Sequence, residues 1–176
     1  MRAVYRFLAD ASIAATALFF LSIPTITPPA SARELVVFHS EAAPGTIIVR
    51  TKERRLYLLL GRSRAIRYPV GVGRAGRQWA GRAVIDGKYI RPDWAPPPEI
   101  ARDHPKLPEV IPGGSPHNPM GAAALTLSGG EYAIHGTNNP RSIGGFVSYG
   151  CIRMHNRDIM DLYARVSVGT PVIVTR

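Results

Sequence analysis

Cys151 is the single cysteine among 176 residues, and it follows Gly150 in a stretch that reads Ser148-Tyr149-Gly150-Cys151-Ile152-Arg153-Met154. A histidine, His135, stands 16 positions upstream, and an arginine, Arg153, two positions downstream. A thiol attacks well only as its thiolate, and a free cysteine of pKa about 8.5 is only a few per cent ionised at neutral pH. An imidazole that takes or shares the proton would bring that pKa to about 6 and raise the thiolate fraction roughly thirtyfold. Backbone N–H groups around Gly150 and Cys151 would complete the arrangement by binding a developing oxyanion. Nucleophile, base and oxyanion donors are the parts of covalent acyl transfer. The same two side chains also suit a buried structural cysteine beside an unrelated histidine.

The remaining candidates are weaker. His155 is a rival base four positions after Cys151, whereas His39, His104 and His117 fall in loop-like sequence and are expected to be solvated. The five histidines show no metal-ligand spacing, and no metal or cofactor is expected. No Asp lies between Gly136 and Gly150, so no acidic third member of a triad is evident. Arg153 offers a planar fork suited to a carboxylate, or else a surface ion pair with Asp158 or Asp161. Ser148 can hydrogen-bond within the turn, and Tyr149 can stack on a substrate or donate to it.

These residues belong to a wider pattern. His135-Gly-Thr-Asn, Ile143-Gly144, Ser148-x-Gly-Cys-Ile-Arg-Met, Asn156-x-Asp158-x-x-Asp161-Leu-Tyr163 and Val168-Gly-Thr-Pro-Val172 together resemble the catalytic domain of L,D-transpeptidases, the YkuD family. The resemblance runs from about Thr46 to Val174. It implies a mainly β fold, a YkuD-type β-sandwich with one short helix after the cysteine. It further implies that Cys151 is the nucleophile, His135 the base, and the carbonyl of Gly136 the group that orients the imidazole. Ser148, Tyr149, Gly150 and Arg153 would then face the substrate. By the same resemblance Cys151 attacks the carbonyl of the third, diamino-acid residue of a peptidoglycan tetrapeptide stem and expels D-alanine. An amine acceptor then gives a cross-link, water gives an L,D-carboxypeptidase, and a lysine of an outer-membrane protein gives anchoring. Carbapenem β-lactams would be inhibitors. The departure from the family pattern is Tyr149, where a second histidine usually precedes Gly-Cys; a catalytically silent wall-binding domain is the reading this favours.

The elements that must position these residues are legible in outline. Thr46–Thr51, Arg54–Leu60 and Ala65–Val72 read as three strands with hairpin separators, after a strand-like lead-in from Arg33 to Pro44. Nine prolines between Pro92 and Pro119 call for a long ordered loop over 74–120 with at most short strands, such as Arg82–Ile85. Trp94 in that loop either anchors it or borders the site, as a Trp- and Pro-rich segment does in the family. Ala122–Leu127 and Glu131–His135 flank Ser128-Gly-Gly as a hairpin, which places His135 at a sheet edge. Asn156 is a candidate cap for a helix over Arg157–Val166, and Pro171–Thr175 closes the chain as a strand.

Composition sets the compartment. Arg2 and Arg6 precede an apolar run, Ala11–Ile23, and then Ala30-Ser31-Ala32, the layout of a cleaved signal peptide over residues 1–32. The run is short and interrupted for a membrane span, so membrane contact would be transient. Residues 33–176 form one domain by length, exported to the periplasm or cell envelope. Lys and Arg total 22 against 12 Asp and Glu, a net charge of +10. Such a field favours polyanions. Export and the scatter of the arginines argue against nucleic acid; an envelope location suggests anionic envelope polymers instead, and a basic balance that serves only solubility fits the composition equally well. Protein recovered from the periplasm should begin at Arg33 on N-terminal sequencing; a chain retained in the membrane and starting at Met1 would contradict the cleavage.

Overall fold

Alternation along three neighbouring strands explains why the chain folds as it does. In Ile47–Arg50 (β2), Arg55–Gly61 (β3) and Pro171–Thr175 (β11), Ile47, Val49, Leu56, Leu58, Val172 and Val174 face one buried cluster. The intervening Ile48, Tyr57, Leu59 and Ile173 face a smaller cluster on the other side, with Phe38 and Ala65. A strand with period-2 side chains and apolar residues at every position must be covered on both faces. The computed structural model describes residues 33–130 and 132–176; the expected signal peptide therefore lies outside the described residues.

The other strands are Glu34–Val37 (β1), Arg64–Pro69 (β4), Val72–Gly73 (β5), Gly81–Ile90 (β6), Ala123–Leu127 (β7), Ala133–His135 (β8), Phe146–Ser148 (β9) and Ile152–Arg153 (β10). Nine of the eleven strands among the described residues join in the order β1-β4-β3-β2-β11-β6-β7-β8-β10, while β5 and β9 pair separately. β6 is the hinge strand. Its first half pairs antiparallel with β11 and its second half antiparallel with β7. Residues from β2, β3 and β4 thereby meet residues from β6, β7, β8 and β10 in one core, closed by the helix Asn156–Arg165 (α2) through Ile159 and Leu162. The mainly β expectation is met.

Four details differ from the sequence expectation. β6 runs ten residues, longer than the Arg82–Ile85 strand expected, because its prolines begin only at Pro92. A second helix, Pro98–Asp103 (α1), lies inside the proline-rich loop, with Pro98 opening it; proline suits a first helical turn, where its missing N–H is not needed. β8 lies between β7 and β10, so His135 is not on an edge strand. Asn156 is the first residue of α2 and not its cap. His155 occupies the cap position, and the Asn156 Oδ1 instead accepts the backbone N–H of Ala122 and of Thr137, each at 3.0 Å. The side chain thus ties the start of α2 to the ends of β7 and β8. At the other end of α2, the Lys88 ammonium donates to the Tyr163 carbonyl at 2.8 Å, a cation where the helix dipole is negative.

Candidate active site

The reacting groups are set out by a short parallel pairing. β10 lies beside β8 with Ile152 opposite Ile134 and Arg153 opposite His135. Alternate residues of a strand share a face. Ile134 and Ile152 point into the core, both essentially inaccessible. Ala133, His135, Cys151 and Arg153 therefore share the other face, and all four line one cleft of about 590 Å³. The register is held by the Met154 N–H, which donates to the His135 carbonyl at 2.8 Å, and by Gly71, which exchanges two backbone bonds with Arg153 at 2.8 and 2.9 Å.

The turn before Cys151 is locked from inside. The buried Ser148 hydroxyl donates to the Cys151 carbonyl at 2.6 Å and accepts the Gly150 N–H at 3.1 Å. That second bond engages one of the two N–H groups expected to form an oxyanion site, so the Gly150 N–H has an intramolecular role instead. Gly150 sits at φ +131°, and a Cβ there would lie 2.2 Å from the Tyr132 ring. The Tyr132 ring is stacked on Trp79 at 5.1 Å, and the Trp79 indole N–H donates to the Gly150 carbonyl at 3.0 Å. Trp79 and Tyr132 are thus site residues that the sequence reading missed as such; no local motif marks either one.

His135 is 4% exposed. Its Nδ1 lies 2.7 Å from the Gly136 carbonyl, the contact the family resemblance implies. A carbonyl can only accept, so Nδ1 carries the proton of the neutral ring and Nε2 keeps its lone pair. Gly136 has to be glycine, because a Cβ would fall 2.3 Å from the Asn156 Oδ1 and 2.8 Å from the Ala122 nitrogen. Burial, then the Arg153 charge, lowers the His135 pKa to about 4, against a smaller upward pull from the Gly136 and Pro119 carbonyls. Burial likewise pushes the Cys151 thiol up, partly offset by a backbone hydrogen bond with Ala133 and by Arg153. Both shifts favour the uncharged forms at rest, a thiol and a neutral imidazole. The preformed thiolate of pKa about 6, expected from residue types alone, is not what this environment favours, because burial works against both charges of an ion pair.

Arg153 makes no salt bridge with Asp158 or Asp161. Asp158 pairs with Arg157, and Asp161 with Arg33 and Arg165. The Arg153 Nε is buried and has no hydrogen-bond partner among the described residues, and burial lowers the guanidinium's pKa. Tyr149 lies at the cleft's rim. Its hydroxyl donates to the Asp103 carboxylate at 2.6 Å, and the Arg74 guanidinium sits 3.9 Å over its ring while pairing with Asp103 at 3.2 Å. With the Arg77–Glu99 ion pair, this fastens α1 beside the Cys151 turn, and Trp94, Pro97 and Ile100 form a wall of the cleft. His104 is exposed, 3.5 Å from the Tyr149 hydroxyl; His39 and His117 are exposed too. His155 is not in this cleft. It lines a larger one, about 880 Å³, with Arg91 and Arg157, which does not reach Cys151. No three His, Cys, Asp or Glu side chains converge as a metal site among the described residues.

The family model of the L,D-transpeptidase catalytic domain, YkuD, matches residues 44–174. The chain belongs to that family. The probable L,D-transpeptidase ErfK/SrfK of Escherichia coli is 39% identical over 157 residues, covering 82% of this chain and 49% of the relative; the chain thus spans about half the length of that protein. A crystal structure from Brucella melitensis, described as a probable carnitine operon oxidoreductase, is 39% identical, with a TM-score of 0.56 over 84% of this chain and 95% of that one. The L,D-transpeptidase catalytic domain of Enterococcus faecium, solved acylated by ertapenem, is 17% identical, with a TM-score of 0.58 over 77% of this chain and all of that one; it bears on the fold alone. The glycine spacing Gly71-x-Gly73-x-x-Gly76 matches a dinucleotide fingerprint, but here it leads into strand β6, not a helix, and so lacks the helix N-terminus that such a site uses.

Because the folded chain resists protonating His135 until about pH 4 and the unfolded chain takes that proton near pH 6.5, the unfolded state binds more protons between these values. Stability should therefore fall as pH drops through that window, by up to about 3 kcal/mol. Urea midpoints from pH 7 to 4 should decline less in His135→Gln than in the parent. Parallel declines would mean that His135 is not held neutral by burial.

Proposed function

We propose that the protein is an exported L,D-transpeptidase that works on peptidoglycan stem peptides through an acyl-enzyme on Cys151. The observation that carries this is the shared face of β8 and β10, which gathers Cys151, His135 and Arg153 in one cleft. Arg153 would take a substrate carboxylate. A buried guanidinium N–H without a partner is costly, and a carboxylate meets its fork with charge-assisted bonds.

The chemistry follows from the neutral pair. As the Cys151 sulfur closes on the carbonyl carbon of the third stem residue, its proton passes to the bare His135 Nε2, so no free thiolate precedes attack. The tetrahedral adduct collapses by breaking the bond to the D-alanine nitrogen, which leaves with the proton from His135. A thioester remains. The acceptor amine then attacks that carbonyl and gives a proton to His135; the C–S bond breaks as the new amide forms, and His135 passes the proton to the departing sulfur, restoring the Cys151 thiol. Water in the same place would give a carboxypeptidase, and a protein lysine an anchored protein. Tyr149 takes no proton in this scheme, because its hydroxyl is engaged as a donor to the Asp103 carboxylate. The signal-like residues 1–32 support export to the envelope.

Mass spectrometry of tetrapeptide muropeptides incubated with the protein should show loss of D-alanine and cross-linked products, abolished in Cys151→Ala. Arg153→Lys keeps the charge but loses the fork. It should lower muropeptide turnover at least about tenfold, roughly 1.4 kcal/mol, while alkylation of Cys151 by a small neutral reagent falls far less. Equal losses in both assays would make Arg153 a support of the turn.

A further inference from the structure

β6 carries an irregularity beside the cleft. Its pairing with β7 matches Ile85 to Leu127 and Gly87 to Thr126, which leaves Asp86 without a partner, as in a β-bulge. The extra residue breaks the alternation of the strand. Ile85 points into the core and Lys88 reaches the carbonyls of α2, whereas Asp86 and Tyr89 both line the Cys151 cleft. An unbroken strand would have sent Asp86 and Tyr89 to opposite faces.

Asp86 is held there. The Thr126 hydroxyl donates to its Oδ1, and Thr126 lines the same cleft. Among the described residues of the cleft it is the sole carboxylate, and Arg153 the sole guanidinium. The chain has 22 Lys and Arg, yet none of the ion pairs among the described residues involves Asp86. Tyr89, 51% exposed, adds an aromatic surface, and a carboxylate beside an aromatic ring suits an ammonium group.

We propose that Asp86, fixed by Thr126 at the bulge of β6, is a specificity residue that binds a primary ammonium of the stem peptide. The cleft then reads as bipolar, Arg153 for a carboxylate and Asp86 for an ammonium, which fits a diamino acid. This rests on the transpeptidase reading above. The ammonium belongs either to the side chain of the donor's third residue or to the amine of the acceptor, and the two are separable.

One arm measures acylation of Cys151 by tetrapeptides whose third-residue side-chain amine is free or acetylated. The other measures how the acyl-enzyme divides between an added amine acceptor and water. Both are run on the parent and on Asp86→Asn, which keeps the shape and an acceptor for Thr126. A donor ammonium predicts a preference of about fivefold for the free amine in the parent, collapsing toward unity in Asp86→Asn. An acceptor ammonium predicts an unchanged donor preference and an aminolysis share that falls about fivefold. Thr126→Val, which frees the carboxylate without removing it, should show a smaller shift in the same arm. Peptide turnover with both ratios equal in parent and Asp86→Asn would overturn the proposal and leave the transpeptidase reading standing. Absence of acylation by any tetrapeptide in the parent would overturn both.

Discussion

Two residue pairs of parallel β-sheet, Ile134 with Ile152 and His135 with Arg153, carry the geometry of the site. Because the side-chain period of a strand is two, burying Ile134 and Ile152 forces Ala133, His135, Cys151 and Arg153 onto the opposite face. A slip of one residue would put the thiol into the core and an isoleucine into the cleft. The hydrophobic core thus does more than stabilise the fold, since it fixes which side chains can meet a substrate. Ser148, Gly150 and the Trp79–Tyr132 stack hold the turn that feeds into this pairing, and Asn156 holds the Gly136 backbone that orients the imidazole.

Burial on this face sets the electrostatics. It lowers the basicity of His135 and raises the thiol pKa of Cys151, so the neutral forms are favoured at rest. Arg153 acts oppositely on the two groups' usefulness: its charge lowers the thiol pKa, which favours attack, but also lowers that of the imidazole, which disfavours proton uptake. The two effects oppose each other in proton transfer from one to the other, which leaves recognition of an anion as the role proposed for Arg153. The active-site wall contributed by α1 depends on surface charges of a different kind, Arg74, Asp103 and the Tyr149 hydroxyl, which are solvated and should weaken with salt.

The family was legible in the sequence, and Cys151 and His135 stood out as candidates, because each is a residue type in a local motif. The first three central strands and the β7–β8 hairpin were legible because apolar runs and Gly-rich turns are local signals too. What sequence could not convey depends on contacts across the chain. The Trp79–Tyr132 stack joins residues far apart in sequence, and nothing around either one announces a partner. Asn156 looked like a helix cap because its type and position suit one, but tertiary bonds to Ala122 and Thr137 took its oxygen. Residue types alone favour a preformed thiolate, whereas the burial that works against it comes from the fold. Tyr149 stood out as a departure; its partner, Asp103, lay in a helix hidden among prolines.

A thiol beside a neutral imidazole at rest can be checked by following the ultraviolet absorbance of the thiolate in the free protein, with Cys151→Ser as the blank. No thiolate signal is expected at neutral pH, only a single rise above the pH at which an ordinary cysteine ionises, because burial outweighs the help from Arg153 and the Ala133 backbone. A thiolate already present at pH 7 and lost only on acidification would show a preformed ion pair with His135 and contradict it.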